Sequence, residues 1–346
     1  METILSDLSE KAQGGETLSN ADISAACAAL LDEGGDVSLR ADFLAALNGR
    51  GERAEEVASF AFELLGRAVS FPLTGSGAID VCGTGGDRAG FFNISTAVMF
   101  VAAGAGARVA KHGNRGITSR SGGADALESL GVRIDLPPES AAAALDEVGC
   151  CFLFAPNYHP AVRSVAPVRK LLAERGSPSV FNLLGPLLNP ARPDFQLVGV
   201  YDPRALGLYA SALKAIGRVR AWAVQGEGPG DLKIDEVSTL GATSVHEVHG
   251  DTIRSFSFEA SALGLPMDRM DDLQGGDAAH NAEIILGILE GRLHGAPRNI
   301  VLANAAAALV VCGIAEDLFV GLAKAVESLD SGNAHKKLRQ LREKSA

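Results

Sequence analysis

The sequence predicts an α/β fold with a small all-helical unit ahead of it, and three observations carry this reading. Residues 1–70 hold helix-spaced apolar positions and no strand-like run. Residues 72–77 then break the pattern with Pro, Gly, Ser and Thr, as a hinge does. After the break, short apolar runs bounded by turn residues alternate with helical stretches. The division falls between residues 1–72 and residues 73–346.

Ser19 with Asp22 reads as a capping box, followed by Ile23, Cys27, Leu30 and Leu31 at helical spacing. Gly34-Gly35 stops that helix. A second helix spans about 38–47, with Leu39, Phe43, Leu44 and Leu47 on one face, and a third spans about 52–69. These apolar stripes form a small packed unit or a dimer interface. Beyond the break, 78–82 reads as a strand, and residues 93–96 lead into a small-residue helix over 97–107. Further strands are expected at 109–110, 132–136, 151–154, 196–201 and 221–224. Runs 245–248 and 253–258 form a hairpin around His249-Gly250-Asp251-Thr252, and from Asp277 onward the chain reads as helices.

Composition limits the function. A hydrophobic share of 47% and a charged share of 21% suit a water-soluble enzyme. Five scattered cysteines without CxxC spacing point to reduced thiols, hence a cytoplasmic protein. The opening METILSDLSEK lacks a basic start and an apolar core, so no secretory signal is expected. The apolar run 300–312 is too short for a bilayer and contains Asn304. A net charge of -11 disfavours nonspecific binding to nucleic acid or an anionic membrane. A phosphate ligand therefore needs a local basic site.

The stretch 110–125 supplies one, with Lys111, His112, Arg115 and Arg120 among glycines and short hydroxyl or amide side chains. A solvated turn is the plain alternative. Gly83-Thr84-Gly85-Gly86-Asp87 follows the first strand directly and is neither a Walker A nor a GxGxxG sequence. A strand, a glycine-rich turn and a helix still make a phosphate cradle, although a tight turn alone accounts for such glycines. Asn93, Ser95 and Thr96 stand at the mouth of the next helix, where capping is their commonest role. Asp235-Glu236 is an adjacent carboxylate pair, either solvated or a site for Mg²⁺. Arg169 is a helix surface charge or a fork for a planar carboxylate. His159 precedes a helix it can cap, and no residue stands out as a general base.

Together, Gly83-Thr84-Gly85-Gly86-Asp87, Asn93-Ile94-Ser95-Thr96, Lys111-His112-Gly113-Asn114-Arg115 and Asp235-Glu236 resemble the signature set of the anthranilate phosphoribosyltransferases. Phe181-Asn182-Leu183-Leu184-Gly185-Pro186-Leu187 and the closing helical region resemble that family too, so the likeness covers nearly the whole chain. It implies a nucleoside phosphorylase/phosphoribosyltransferase-like fold with a central mixed sheet. A helical segment near 160–187 would join the small unit, which would carry a homodimer contact. The implied reaction joins anthranilate to phosphoribosyl pyrophosphate in tryptophan biosynthesis, with Mg²⁺ as cofactor.

By that resemblance Gly83, Gly86, Asp87, Asn93, Ile94, Ser95 and Thr96 hold the pyrophosphate. Lys111, His112, Gly113, Asn114, Arg115, Gly116, Ile117, Thr118 and Ser119 line the rest of the donor site. Ser95, Asp235 and Glu236 bind the metal, and Gly83, Asn114 and Arg169 meet anthranilate. Phe91 stands where Thr or Ser is common, Gly123 replaces a frequent Ser, and Thr118 replaces a Ser conservatively. Two competing readings are a pyrimidine nucleoside phosphorylase and a noncatalytic nucleic-acid-binding relative. The Lys-His-Gly-Asn-Arg run argues against the first. The negative charge and the intact acidic pair argue against the second.

Overall fold

The computed structural model describes residues 2–116 and 120–346. Four helices open the chain: α1 (Glu2–Gln13), α2 (Asn20–Leu30), α3 (Val37–Arg50) and α4 (Ala54–Gly66). The sequence pattern distinguishes three of them. The additional helix, α1, is mostly polar and buries only a narrow stripe of Leu5, Leu8 and Ala12. The capping box is present: Ser19 Oγ accepts from the Asp22 N–H, and Asp22 Oδ2 accepts from the Ser19 N–H at 3.0 Å. Asp36 caps α3 by accepting from the N–H groups of Ser38 and Leu39.

The α/β part begins with β1 (Ala78–Gly83), α5 (Ile94–Gly104), β2 (Arg108–Gly113), α6 (Gly123–Ser129), α7 (Pro138–Val148) and β3 (Cys150–Phe154). Short helices α8 (Ala155–Tyr158), α9 (Ala166–Glu174) and α10 (Phe181–Leu184) follow. The chain then returns through β4 (Phe195–Gly199), α11 (Leu206–Ala215), β5 (Arg220–Glu227), β6 (Lys233–Ile234), β7 (Ala242–His249) and β8 (Thr252–Glu259). It closes with α12 (Ala278–Leu289), α13 (Ala296–Val311), α14 (Leu318–Asp330) and α15 (Asn333–Ser345).

The eight strands of the described residues form one mixed sheet in the order β3-β2-β1-β4-β5-β7-β8, with β6 paired to β5. Strands β3, β2, β1, β4 and β5 are mutually parallel, while β7 and β8 run antiparallel as the expected hairpin, closed at His249↔Thr252. Side chains alternate across the sheet. Val81, Leu197, Trp222 and Val224 enter a core with α5 and the C-terminal helices. Val198, Ala221 and Ala223 enter a second core with α1 to α4, Val165, Val168 and Leu172 of the 160–187 segment, and α11.

One expected strand is absent. Residues 132–136 pair with no strand among the described residues, although Val132, Ile134 and Leu136 are buried and Arg133 and Asp135 are exposed. The segment lies extended against α15, where the Arg133 N–H donates to Ser345 Oγ. Its alternation reports one-sided burial, not a hydrogen-bonded ladder. Among the described residues, no helix is long and apolar enough to cross a membrane.

Candidate active site

The sheet order sets the position of the site. β1 ends at Gly83 and β4 ends at Gly199, and these two glycines are register partners. The chain proceeds from β1 toward β2 on one side and from β4 toward β5 on the other. Ligands of open α/β sheets bind in the crevice beyond the strand ends at such a reversal.

The glycine loop rises from that point. Gly85 and Gly86 have φ of +69° and +89°, which glycine adopts without steric cost. Such a turn presents consecutive N–H groups as an anion cradle. The Gly85 N–H donates to Asp235 Oδ2 at 2.7 Å, and a Cβ on Gly83 would overlap the same carboxylate. The glycine loop and the acidic pair, far apart in sequence, are therefore one site.

Its charges crowd together. Burial, then the negative charge of Asp87, pushes the Asp235 carboxyl up to about 7. Burial, then the charge of Asp235, pushes Glu236 well above the usual carboxyl range, with Lys111 opposing. Lys111 is 4% exposed, and its Nζ donates to the Val81 carbonyl at 2.6 Å and to Ser95 Oγ at 3.0 Å. Burial holds its ammonium below the usual lysine range, against the pull of Asp80, Cys82 and Glu236. One buried ammonium thus faces Glu236, and Asp235 and Asp87 crowd beside that carboxyl. The all-oxygen donor set of Asp235, Glu236 and Ser95 fits a hard divalent cation such as Mg²⁺, whose charge would offset the burial and mutual repulsion that push both carboxyls up.

His112 takes a different direction. Alternation along β2 turns it to the opposite face from Lys111. Its Nδ1 lies 2.7 Å from Asp80 Oδ2 and its Nε2 lies 2.8 Å from the Gly185 carbonyl, so both ring nitrogens are engaged. Gln196 bridges Asp80 to the Pro186 carbonyl and accepts from Arg218 Nε at 2.9 Å. Burial pushes Asp80 up, but the charge and hydrogen bond of His112, with the charge of Lys111 and a hydrogen bond from Asn189, prevail and hold it below the usual range. Asp80, Cys82 and His112 place ligand atoms within 4.8 Å of one another. The engaged imidazole and a Cys82 thiol pushed far up by burial make this a hydrogen-bonded cluster, not a metal site.

Other expected site residues are placed as follows. Asn93 sits at the α5 N-cap position without capping the helix. Its Nδ2 donates to the Ser121 carbonyl, and its Oδ1 accepts from Asn281 Nδ2 at 2.9 Å. Ile94 and Thr96 are buried, and the Thr96 hydroxyl has no hydrogen-bond partner among the described residues. Asp87 is half-buried and accepts from the Ala89 N–H. Gly86 lies under the Tyr201 ring. In the basic loop Asn114 is exposed, with Oδ1 accepting from the Arg115 N–H. The Arg115 guanidinium is paired to Asp125 and Glu128 of α6. Asp125 Oδ2 also accepts from Gly116 and Gly122, pinning both ends of the loop. A Cβ on Gly113 would press on the Phe152 ring at 3.1 Å. Ile117, Thr118 and Ser119 lie outside the described residues.

Arg169 is exposed on α9 and makes no hydrogen bond or ion pair among the described residues. His159 is no cap: its ring is buried, with Nε2 on the Leu188 carbonyl at 2.7 Å. Phe91 is half-buried and bridged to Gln274. A Cβ on Gly123 would meet the Thr96 hydroxyl at 3.3 Å.

The sequence pattern gave no notice of Arg88, Tyr201, Asn281 or Asn304 as part of this region. Arg88 has φ +59° and an exposed side chain directly after the loop. Tyr201 is 40% exposed just beyond β4. The one signal available was a lone Asn within an apolar helix, as at Asn304.

The strand-end crevice, glycine cradle and carboxylate pair form a site suited to a phosphorylated ligand and a divalent cation. Residues 75–335 match the family described as the glycosyl transferase family, a/b domain. The chain is 46% identical over 327 residues to the anthranilate phosphoribosyltransferase of Anaeromyxobacter dehalogenans, covering 94% of each. It superposes on the crystal structure of the Thermus thermophilus enzyme of that name with a TM-score of 0.89, at 38% identity, covering 98% of this chain and 99% of that one. The Saccharomyces cerevisiae enzyme, in complex with phosphoribosyl pyrophosphate and Mg, gives a TM-score of 0.88 at 27% identity, covering 100% of this chain and 98% of that one. The chain belongs to the anthranilate phosphoribosyltransferase family.

Proposed function

We propose that this chain transfers the phosphoribosyl group of 5-phosphoribosyl 1-pyrophosphate to the amine of anthranilate. The products are N-(5-phosphoribosyl)anthranilate and pyrophosphate, in tryptophan biosynthesis. The observation that carries this reading is the junction of the glycine loop with the acidic pair, made by the Gly85 N–H on Asp235.

In this reading the pyrophosphate lies along the Gly83 to Asp87 turn, toward the N-terminal end of α5. Asp235, Glu236 and Ser95 hold Mg²⁺, which when bound neutralises charge on the departing pyrophosphate. Lys111 donates to Ser95 and so leaves a hydroxyl lone pair free to face the metal. Its buried ammonium adds positive potential where the leaving group gains negative charge. Arg169, Asn114 and Gly83 orient anthranilate, with the exposed guanidinium of Arg169 on its carboxylate. A nitrogen–carbon bond forms at the anomeric carbon, the carbon–oxygen bond to pyrophosphate breaks, and the amine proton leaves to solvent. Orientation of the amine supplies much of the rate, because no residue of the site among those described is placed as a general base.

The helical unit of residues 1–72 and the 73–346 unit meet across hinge segments, and the helical unit carries a homodimer contact. Five free thiols support a cytoplasmic location. Mass spectrometry of a mixture of protein, both substrates and Mg²⁺ tests the reaction. N-(5-phosphoribosyl)anthranilate must form, and only with all components present.

A further inference from the structure

We propose that Asn304 of α13, with Gly226 and Gly199 opposite it, is the device that positions the Asp235-Glu236 pair. The inference rests on the reading of that pair as the metal ligands.

Asn304 is 1% exposed within the otherwise apolar run of α13. A buried amide is costly unless it is hydrogen-bonded. Here Oδ1 accepts from the Val237 N–H at 2.8 Å, and Nδ2 donates to the Val237 carbonyl at 2.9 Å and to the Ile300 carbonyl at 2.9 Å. The side chain therefore pairs with both backbone groups of one residue, as a neighbouring strand would. That residue directly follows Glu236.

The opposite side is made of glycines at adjacent strand ends. A Cβ on Gly226 would lie 2.6 Å from the Glu236 carbonyl, and one on Gly199 would overlap the Asp235 carbonyl. The acidic segment is thus seated in a groove that only side-chain-free positions leave open, and is clamped from α13. A cavity of about 10 Å³ beneath it is lined by Ser95, Glu236, Gly199 and Asn304. Asn304 therefore reaches the space shared by two of the proposed metal ligands. Carboxylates that repel each other spread apart unless their backbone is fixed. A clamp on Val237 keeps them converged before the cation arrives.

The test uses the full chain with Asn304→Leu, and with Gly226→Ala as a second variant that enters from the other side of the segment. Mn²⁺ binding is read by electron paramagnetic resonance in the presence of inorganic pyrophosphate, and Val237 amide protection by hydrogen exchange. Each variant is expected to weaken Mn²⁺ binding by about 10- to 100-fold, the scale of lost support behind a metal ligand. Turnover should recover most of its wild-type value at saturating Mg²⁺, and Val237 should lose protection. If Asn304→Leu does not fold, Gly226→Ala decides by the same readout. Wild-type Mn²⁺ affinity in the variants, beside a loss in Asp235→Asn, overturns the positioning role alone. Unchanged affinity in Asp235→Asn as well overturns the metal reading and this inference with it.

Discussion

The Gly85 N–H donates to Asp235 Oδ2 at 2.7 Å across 150 residues of sequence. That bond makes one site of a loop suited to phosphate and a carboxylate pair suited to a metal. Asp235→Asn with Glu236→Gln should therefore abolish Mg²⁺-dependent turnover while leaving the melting temperature near wild type. Neutralising two crowded carboxylates removes repulsion without emptying a core position. Turnover with wild-type magnesium dependence in the double variant would contradict the assignment.

Arg169 and Lys111 should divide the substrates between them. Arg169 has no partner among the described residues, so a bidentate bond to a carboxylate is available to it. Such a bond is worth about 1.5–3 kcal/mol, or roughly ten- to a hundredfold in affinity. Arg169→Ala should raise the anthranilate KM by that factor and move the phosphoribosyl pyrophosphate KM little. Lys111→Ala should do the reverse, because its ammonium sits against Ser95. Arg169→Lys should recover only part of the loss, since an ammonium lacks the planar fork. Steady-state kinetics with each substrate varied in turn decides this. A donor-side loss in Arg169→Ala would show that the two halves of the cleft are exchanged.

His159 predicts a pH dependence of stability. Burial holds its imidazole below the ordinary value of 6.5, so it stays neutral where the unfolded chain has begun to bind a proton. Stability is full above about 6.5 and falls as pH drops below it, by at most about 1.4 kcal/mol per pH unit. His159→Gln can still donate to the Leu188 carbonyl but cannot titrate. Thermal melts between pH 7.5 and 5.5, about one unit to either side of the histidine value, should show a flatter decline in the variant. Parallel declines would mean that His159 contributes nothing to the slope.

Much of this was legible in the sequence, and the gaps have physical causes. The capping box at Ser19, the hairpin at Gly250 and the β1–glycine loop–α5 order follow from local chemistry. Residues 132–136 misled because period-2 burial arises in any extended segment on a core, whether or not a ladder forms. The basic loop reads as one cluster of charge, yet strand alternation turns Lys111 toward Ser95 and His112 toward Asp80. Arg115 is spent on Asp125 and Glu128, a pairing that only the fold of α6 creates. Asn304 and Gly226 act through backbone contacts at long range, which no local pattern encodes.

The small helical unit should carry the subunit contact. Phe62 on α4 is 51% exposed, and Leu39 on α3 is half-buried beside an open groove. Sedimentation at micromolar concentration should give a dimer. Leu39→Glu or Phe62→Glu should shift it toward monomer without a change in circular dichroism. A monomeric wild-type chain under those conditions would remove the dimer from the account.

The central claim is the transfer itself, and the fluorescence of anthranilate reads it directly. With phosphoribosyl pyrophosphate and Mg²⁺ present, the wild-type chain should consume that fluorescence in a continuous progress curve. The decay should stop when either component is withheld or Mg²⁺ is chelated, and it should be absent in the Asp235→Asn, Glu236→Gln double variant. A folded wild-type chain that leaves the fluorescence unchanged with all components present would contradict the account.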